Sequence, residues 1–131
     1  MRYLLDVNVL IALAHTGHTL HGKAVAWYLS VLSSAAGLHT CSITELGFVR
    51  VSLVTGLQPD VAASRATLDA LKSSSKILFE IVSDDLGAAH LPSFVNSAQK
   101  VTDGHLLELA KHHSMKFVTL DRGIPGALFI G

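Results

Sequence analysis

Short apolar runs alternate with amphipathic segments along the whole chain, and this alternation limits the folds that the chain can adopt. The apolar runs predict strands over 2–5, 38–41, 77–82, 116–120 and 127–130. The amphipathic segments predict helices over 7–14, 20–35, 42–55, 60–72 and 103–113, whereas residues 84–100 show no clear pattern. Strands that alternate with helices form a parallel sheet with helices on both faces, so we expect an α/β fold.

Three of the predicted helices begin at residues that favour helix N-termini. Ser42 precedes Glu45 by three residues, which is the spacing of a capping box. Asp60 and Thr102 are predicted to cap the two later helices. Gly104 follows Asp103 at a position where a better helix former would be more favourable by about 1 kcal/mol, and the sequence offers no reason for it.

The composition fits one folded domain that spans residues 1–131. Hydrophobic residues make up 50% and charged residues 15% of the chain, which excludes a disordered protein. Ten basic residues balance ten acidic ones, so a surface that is basic all over is excluded as well. The single cysteine, Cys41, cannot form an intrachain disulfide. With no secretory signal and no membrane-spanning stretch recognisable, we expect a cytoplasmic protein without a membrane partner.

Four acidic residues lie where strands end or helices begin. Asp6 follows the first strand in LLDVN, and Asp121 follows a late strand in VTLDR. Glu45 lies in the first turn of a helix in SITEL, and Asp103 lies in the first turn of another in VTDGH. Because strand carboxyl ends and helix N-termini share one edge of a parallel sheet, these four acids are predicted to meet there.

Four neighbouring carboxylates repel one another unless a cation lies between them. Carboxylate oxygens suit Mg²⁺ or Mn²⁺, and such ions activate water and neutralise charge on a phosphodiester. Without these acids, six acidic residues face ten basic ones, a net charge of +4 that suits a substrate with a phosphate backbone. Each acid could instead serve only as a helix cap or a charge at a strand end.

Four segments of the chain, LLDVNVLIAL, SITELGFVR, VTDGHLLELA and FVTLDRGI, resemble in order and spacing the PIN-domain nucleases, most closely the VapC-type toxins of bacterial toxin–antitoxin pairs. The resemblance implies an α/β/α fold and a Mg²⁺- or Mn²⁺-dependent endoribonuclease. It also implies a homodimeric toxin that a small antitoxin protein holds inactive. The residues that match the family's catalytic and metal-binding acids are Asp6, Glu45, Asp103 and Asp121, and those that match its supporting positions are Asn8 and Thr119.

Other functions stay open at this point. The chain could be a different metal-dependent phosphatase or a nuclease outside a toxin–antitoxin system, such as a DNA flap nuclease or exonuclease, although its 131 residues show no extra DNA-clamping helices. It could also be a non-catalytic PIN domain that binds nucleic acid, although none of the four acids is missing. The roles of the four acids, and the choice between one metal and two, also stay open.

Three further features carry weaker predictions. His15, His18 and His21 in HTGHTLH are interpreted as part of a solvated loop rather than a metal site. Arg50 and Arg122 lie near Glu45 and Asp121 in sequence and are predicted either to contact phosphate or to pair with these acids. The abundance of apolar residues predicts a dimer surface or an antitoxin groove.

Overall fold

The computed structural model describes all 131 residues and contains one five-stranded parallel sheet, with strand order β3-β2-β1-β4-β5. The strands are β1 (Arg2–Leu5), β2 (Gly37–Thr40), β3 (Phe79–Ile81), β4 (Met115–Thr119) and β5 (Leu128–Phe129). The helices are α1 (Val7–Ala14), α2 (His21–Val31), α3 (Ser42–Val54), α4 (Val61–Ser74) and α5 (Val101–His112). The predicted α/β class and parallel sheet are confirmed. No helix combines the length and the apolar character needed to cross a membrane.

Alternating side chains of the central strands divide the core into two layers. In β1, Leu5 packs with residues of α1 to α4, whereas Leu4 packs with residues of α5. In β4, Val118 belongs to the first layer and Phe117 to the second. This alternation is expected of a parallel sheet that is covered on both faces, where each face of a strand must be apolar. The chain is therefore a three-layer α/β/α structure.

The register of β1 and β4 determines where the site forms. Leu5 pairs with Val118, and the Asp6 N–H donates to the Val118 carbonyl oxygen at 2.9 Å. The two strands thus reach the same edge of the sheet together. The register therefore places Asp6, the residue after β1, beside Thr119, the last residue of β4, at that edge.

The predicted helix and strand boundaries are accurate to a few residues, with two larger differences. Strand β3 has only three residues, Phe79–Ile81, because it lies at the sheet edge and pairs only with β2. Helix α2 ends at Val31, not at residue 35. Residues 84–100, which gave no clear pattern, contain two 3-10 turns, Ala88–His90 and Ala98–Lys100.

Helix α5 begins differently from the prediction. Thr102 is not its cap, because the helix already begins at Val101 and continues directly from the 3-10 turn Ala98–Lys100. A preceding 3-10 turn leads the chain into the helix, and no side chain caps this N-terminus. The preceding segment is tied to α5 by a hydrogen-bond contact of 2.6 Å between Asp84 Oδ2 and His105 Nε2. By contrast, the predicted cap of α4 is confirmed, since the Asp60 carboxylate accepts the Ala63 N–H at 2.8 Å.

Candidate metal centre

Asp6 is fixed at the junction of β1 and α1. It is the N-cap of α1, and its Oδ1 accepts the Val7 N–H at 2.8 Å. Its Oδ2 accepts the hydroxyl of Thr119, the last residue of β4, at 2.7 Å. Because only 6% of Asp6 is exposed, neighbouring groups on both elements determine the direction of its carboxylate.

Asp103 and Asp121 approach Asp6 from two other elements. Asp103 is half-buried in the first turn of α5, and Asp121 is exposed just beyond the end of β4. One carboxylate oxygen from each of the three residues lies within 4.8 Å of the other two. We call Asp6, Asp103 and Asp121 the carboxylate cluster. The fold therefore brings together three of the four acids singled out in the sequence.

The cluster perturbs the proton affinities of its own members. The pKa of Asp6 is raised to about 6, mainly by burial and to a smaller extent by the negative charges of Asp103 and Asp121, while the hydrogen bonds from Thr119 and Val7 lower it. Burial also raises the pKa of Asp103, with a smaller contribution from the charge of Asp121. Full ionisation of these acids is therefore unfavourable unless a cation compensates their charge.

Asn8 and Thr119, the two predicted supporting residues, form a hydrogen-bond network beneath the cluster. The Asp121 N–H donates to Thr119 Oγ1 at 3.0 Å, and the Asn8 amide donates to the same oxygen at 3.4 Å. Asn8 Oδ1 in turn accepts the Leu120 N–H at 3.1 Å. The network fixes the turn that carries Asp121 relative to Asp6.

Glu45 is not one of the clustered acids. Its Oε2 accepts the Thr40 hydroxyl at 2.5 Å and the Lys72 ammonium of α4 at 2.8 Å. The lysine compensates its negative charge locally. Lys72 could not be identified from the sequence, because it lies 27 positions from Glu45 and meets it only through the packing of α3 on α4.

The predicted capping box of Ser42 and Glu45 is wrong by one residue. Cys41 is the N-cap of α3, and the Thr44 hydroxyl accepts the Cys41 N–H at 2.9 Å and donates to the Cys41 carbonyl at 3.1 Å. Because Thr44 satisfies these backbone groups, the carboxylate of Glu45 is free to bond with Thr40 and Lys72.

The histidine-rich loop is not simply solvated, which corrects the sequence interpretation. Nδ1 of His15 lies 2.8 Å from the Ile11 carbonyl oxygen, and Nδ1 of His21 lies 2.7 Å from the Ala12 carbonyl oxygen. These rings bond to carbonyl groups in the last turn of α1 that lack a partner within the helix. The three histidines of the loop do not form a metal site, since the carboxylate cluster is the one group of ligand atoms close enough to hold an ion.

The two arginines near the acids form no ion pair with them. The Arg122 guanidinium lies 4.4 Å above the centre of the Phe129 ring. Arg50 lines a cavity of about 580 Å³ between α3 and α4, which Glu45 and Arg65 also line. The predicted pairing of these arginines with the acids is therefore wrong, and their contact with phosphate stays a prediction.

The donor set of the cluster fits a hard divalent cation. All three side chains offer carboxylate oxygens, which are preferred ligands of Mg²⁺ and Mn²⁺. Burial is the main cause of the raised pKa values of Asp6 and Asp103, and the negative charges of neighbouring acids in the cluster add to it. With no sulfur or imidazole ligand in the group, the chemistry does not favour zinc.

Sequence comparison finds relatives over nearly the whole chain. The PIN domain family model matches residues 3–127. A protein named Ribonuclease VapC38, from Mycobacterium tuberculosis, is 37% identical over 126 residues, which cover 92% of this chain and 86% of that protein.

Two solved structures share the fold at low sequence identity. A toxin–antitoxin complex from Klebsiella pneumoniae contains a chain with a TM-score of 0.65 and 19% identity, and the match covers 98% of each chain. The Mycobacterium tuberculosis toxin VapC20, described as cleaving the sarcin–ricin loop, has a TM-score of 0.61 and 14% identity. That match covers 92% of this chain and 89% of that chain.

Proposed function

The chain belongs to the PIN-domain family, and from that premise we propose that it is a VapC-type endoribonuclease that hydrolyses RNA phosphodiester bonds at the carboxylate cluster. The observation that carries this proposal is the convergence of Asp6, Asp103 and Asp121, whose ligand atoms lie within 4.8 Å of one another. The relative named Ribonuclease VapC38 supports the same activity.

Asp6, Asp103 and Asp121 are the proposed ligands of a Mg²⁺ or Mn²⁺ ion. When bound, such an ion lowers the pKa of a coordinated water and neutralises charge on the phosphodiester. Asp121 is the exposed member of the cluster and so is the proposed ligand most accessible to substrate. Asp6 is held by Thr119 and Val7, so its carboxylate does not have to reorganise when the ion binds.

Glu45 is the proposed fourth catalytic acid. Its carboxylate is outside the cluster and is held by Thr40 and Lys72, so it is suited to orient a water molecule rather than to bind the ion. Lys72 fixes the position of this carboxylate through their 2.8 Å ion pair. Asn8 and Thr119 have the proposed role of holding the cluster in place through their hydrogen bonds.

The proposed partners are an RNA substrate, a small antitoxin protein and a second copy of the chain. The toxin–antitoxin complex from Klebsiella pneumoniae, in which the same fold occurs, supports an antitoxin partner. Exposed apolar side chains on α3 and the turn after it support protein contacts, since Leu46 is 71% and Val54 76% exposed. A homodimer is expected by light scattering at micromolar concentration, and we place its action in the cytoplasm, where cellular RNA is found.

The proposal is tested by incubating total RNA with the purified chain, with Mg²⁺ or Mn²⁺ and with EDTA. We expect cleavage only with metal and none by Asp103→Asn. A matched control is Asp85→Asn, because Asp85 is exposed and its side chain makes no hydrogen bond or ion pair. Cleavage that continues in EDTA, or in folded Asp103→Asn protein, would contradict the proposed mechanism.

A further inference from the structure

A cavity of about 310 Å³ opens beside the carboxylate cluster, and the loop between α1 and α2 contributes a residue to it. Its lining includes Asp6, Asn8 and Asp121 together with His18 of that loop. His18 is therefore the one imidazole that lines this cavity together with Asp6 and Asp121. His15 and His21, the other two histidines of the HTGHTLH segment, do not line this cavity.

The loop holds His18 in a defined orientation. Its backbone N–H donates to the His15 carbonyl oxygen at 3.0 Å, and its own carbonyl accepts the His21 N–H at 3.0 Å. The Leu20 N–H donates to His18 Nδ1 at 3.0 Å. Because Nδ1 is the acceptor, the neutral ring carries its hydrogen on Nε2. Nε2–H is thus a donor with no partner in the protein.

The other polar groups around the cavity are already engaged or are acceptors. Both polar atoms of the Asn8 amide bond to Thr119 and Leu120. Asp6 and Asp121 offer carboxylates, which cannot donate to a phosphate when ionised. Arg122, the nearest arginine in sequence, lies over Phe129. His18 is therefore the free hydrogen-bond donor of this cavity.

We propose that His18 is a substrate-contacting residue whose Nε2–H donates a hydrogen bond to a phosphate oxygen of the RNA backbone beside the carboxylate cluster. This inference rests on the proposed ribonuclease function. RNA phosphates carry negative charge and are repelled by the two carboxylates that line the cavity. A hydrogen-bond donor beside these carboxylates offsets the repulsion and stabilises the bound RNA backbone. While Nδ1 accepts the Leu20 N–H and Nε2 holds its hydrogen, the ring has no free lone pair with which to compete with the acids for a metal ion.

The experiment compares cleavage of a short labelled RNA in Mn²⁺ by the wild-type chain, His18→Ala and His18→Gln. The loss of a hydrogen bond to a charged group weakens binding by a factor of about 10 to 100. His18→Ala should therefore lower kcat/KM by about that factor. His18→Gln, which keeps an N–H donor at a similar reach, should recover most of the loss. Added imidazole should partly restore His18→Ala. His112→Ala is the matched control, since His112 is exposed at the opposite end of α5 from Asp103.

RNA binding provides a second measurement that does not depend on cleavage. In the Asp103→Asn background, His18→Ala should raise the Kd of the labelled RNA by about 10-fold, as measured by fluorescence anisotropy. The increase in melting temperature caused by Mn²⁺ should be the same in His18→Ala and wild type, because His18 does not belong to the cluster.

The outcomes separate this inference from the function on which it rests. A wild-type chain that does not cleave RNA contradicts the proposed function, and unchanged RNA binding by His18→Ala then contradicts the inference as well. A wild-type chain that cleaves while His18→Ala cleaves and binds RNA equally well contradicts the inference alone. Two further outcomes would assign His18 a structural role and overturn the inference. One is a loss of activity that neither His18→Gln nor added imidazole restores, and the other is a loss of activity together with a smaller increase in melting temperature on addition of Mn²⁺.

Discussion

The hydroxyl of Thr119 donates a 2.7 Å hydrogen bond to Asp6, a residue 113 positions earlier in the chain. The same oxygen accepts the Asp121 N–H at 3.0 Å. One side chain thus positions two members of the carboxylate cluster, one through its carboxylate and the other through its backbone. Thr119 is fully buried, so water cannot replace either bond.

Replacing Thr119 by valine should therefore weaken both the fold and the site. The methyl group fills the same space, but Asp6 and the Asp121 N–H each lose a buried partner, at a cost of about 1–3 kcal/mol in the free energy of unfolding. Urea unfolding measures this change. Thr102→Val is the control, because Thr102 is exposed on α5. Equal stability of the Thr119 and Thr102 variants would show that the network contributes little.

The meeting of Asp6, Asp103 and Asp121 could be predicted because it follows from topology. In a parallel sheet every strand carboxyl end and every following helix start lies at one edge, whatever the side chains that pack between them. The Asp60 cap could be predicted for a different reason, because its hydrogen bond to the Ala63 N–H depends only on local sequence.

The contacts of Glu45 and His18 could not be predicted, because they depend on how distant elements pack. Lys72 reaches Glu45 only because α4 lies against α3. His18 lines the cavity only because its loop folds back beside the ends of β1 and β4. Local sequence patterns contain no information on which distant residues these two side chains meet. The reason for Gly104 likewise lies in packing between segments, since a side chain at this position would meet Val95 and Pro92.

The pKa of Asp6 predicts a particular pH dependence of stability in the metal-free protein. Its folded-state pKa of about 6 exceeds the ordinary value of 3.8, so the folded protein binds more protons between these values than the unfolded chain. The free energy of unfolding should therefore fall as pH rises from about 4 to about 6, by roughly 3 kcal/mol for this group.

Asp6→Asn should lack this decrease, and urea unfolding of both proteins across the pH range in EDTA gives the difference. The affinity for Mg²⁺ should change in the opposite direction and rise with pH through about 6, because metal and proton compete for the carboxylate. Parallel stability profiles for the two proteins would contradict the raised pKa.

Metal binding should distinguish Glu45 from the carboxylate cluster. Saturating Mn²⁺ should raise the melting temperature of wild type and Glu45→Gln similarly, since ligands stabilise by mass action and Glu45 lies outside the cluster. Asp103→Asn should lose most of this increase. Cleavage by Glu45→Gln should nevertheless fall about 100-fold if its carboxylate orients water.

Glu80→Gln provides the control for this comparison, because Glu80 has an exposed carboxylate on β3 that forms no ion pair. Differential scanning fluorimetry with and without Mn²⁺ gives the melting temperatures. A Glu45→Gln protein that loses the Mn²⁺ effect as fully as Asp103→Asn would instead make Glu45 a metal ligand.

Gly104 is required by close packing on the first turn of α5. A Cβ at this position would lie 2.2 Å from Val95 Cγ2 and 3.2 Å from Pro92 Cδ. Gly104→Ala should therefore destabilise the protein by about 1–3 kcal/mol, despite the better helix propensity of alanine. It should also reduce the stabilisation by Mn²⁺, because the neighbouring Asp103 is displaced.

Two comparisons isolate this effect in thermal unfolding. Adding Val95→Ala to Gly104→Ala should recover stability, since it removes the closest methyl group. Gly22→Ala on α2 is the matched control: its Cβ would meet nothing within 4 Å. This substitution should therefore leave stability unchanged or raise it by up to about 1 kcal/mol. If Gly104→Ala behaved like Gly22→Ala, the segment around Pro92 would not pack tightly on α5.

Expression in a bacterial host tests the proposed toxin role. The wild-type chain, produced without an antitoxin, should arrest growth, because uncontrolled cleavage of cellular RNA stops protein synthesis. Asp103→Ala and Asp121→Ala should each relieve the arrest almost fully, since residues that act as one catalytic unit lose activity together when any member is removed. Asp85→Ala should remain toxic. Circular dichroism must show that the relieved variants are folded. Arrest that persists with folded Asp103→Ala would show that toxicity does not come from the cluster, whereas RNA cleavage in vitro without arrest would contradict only the toxin role.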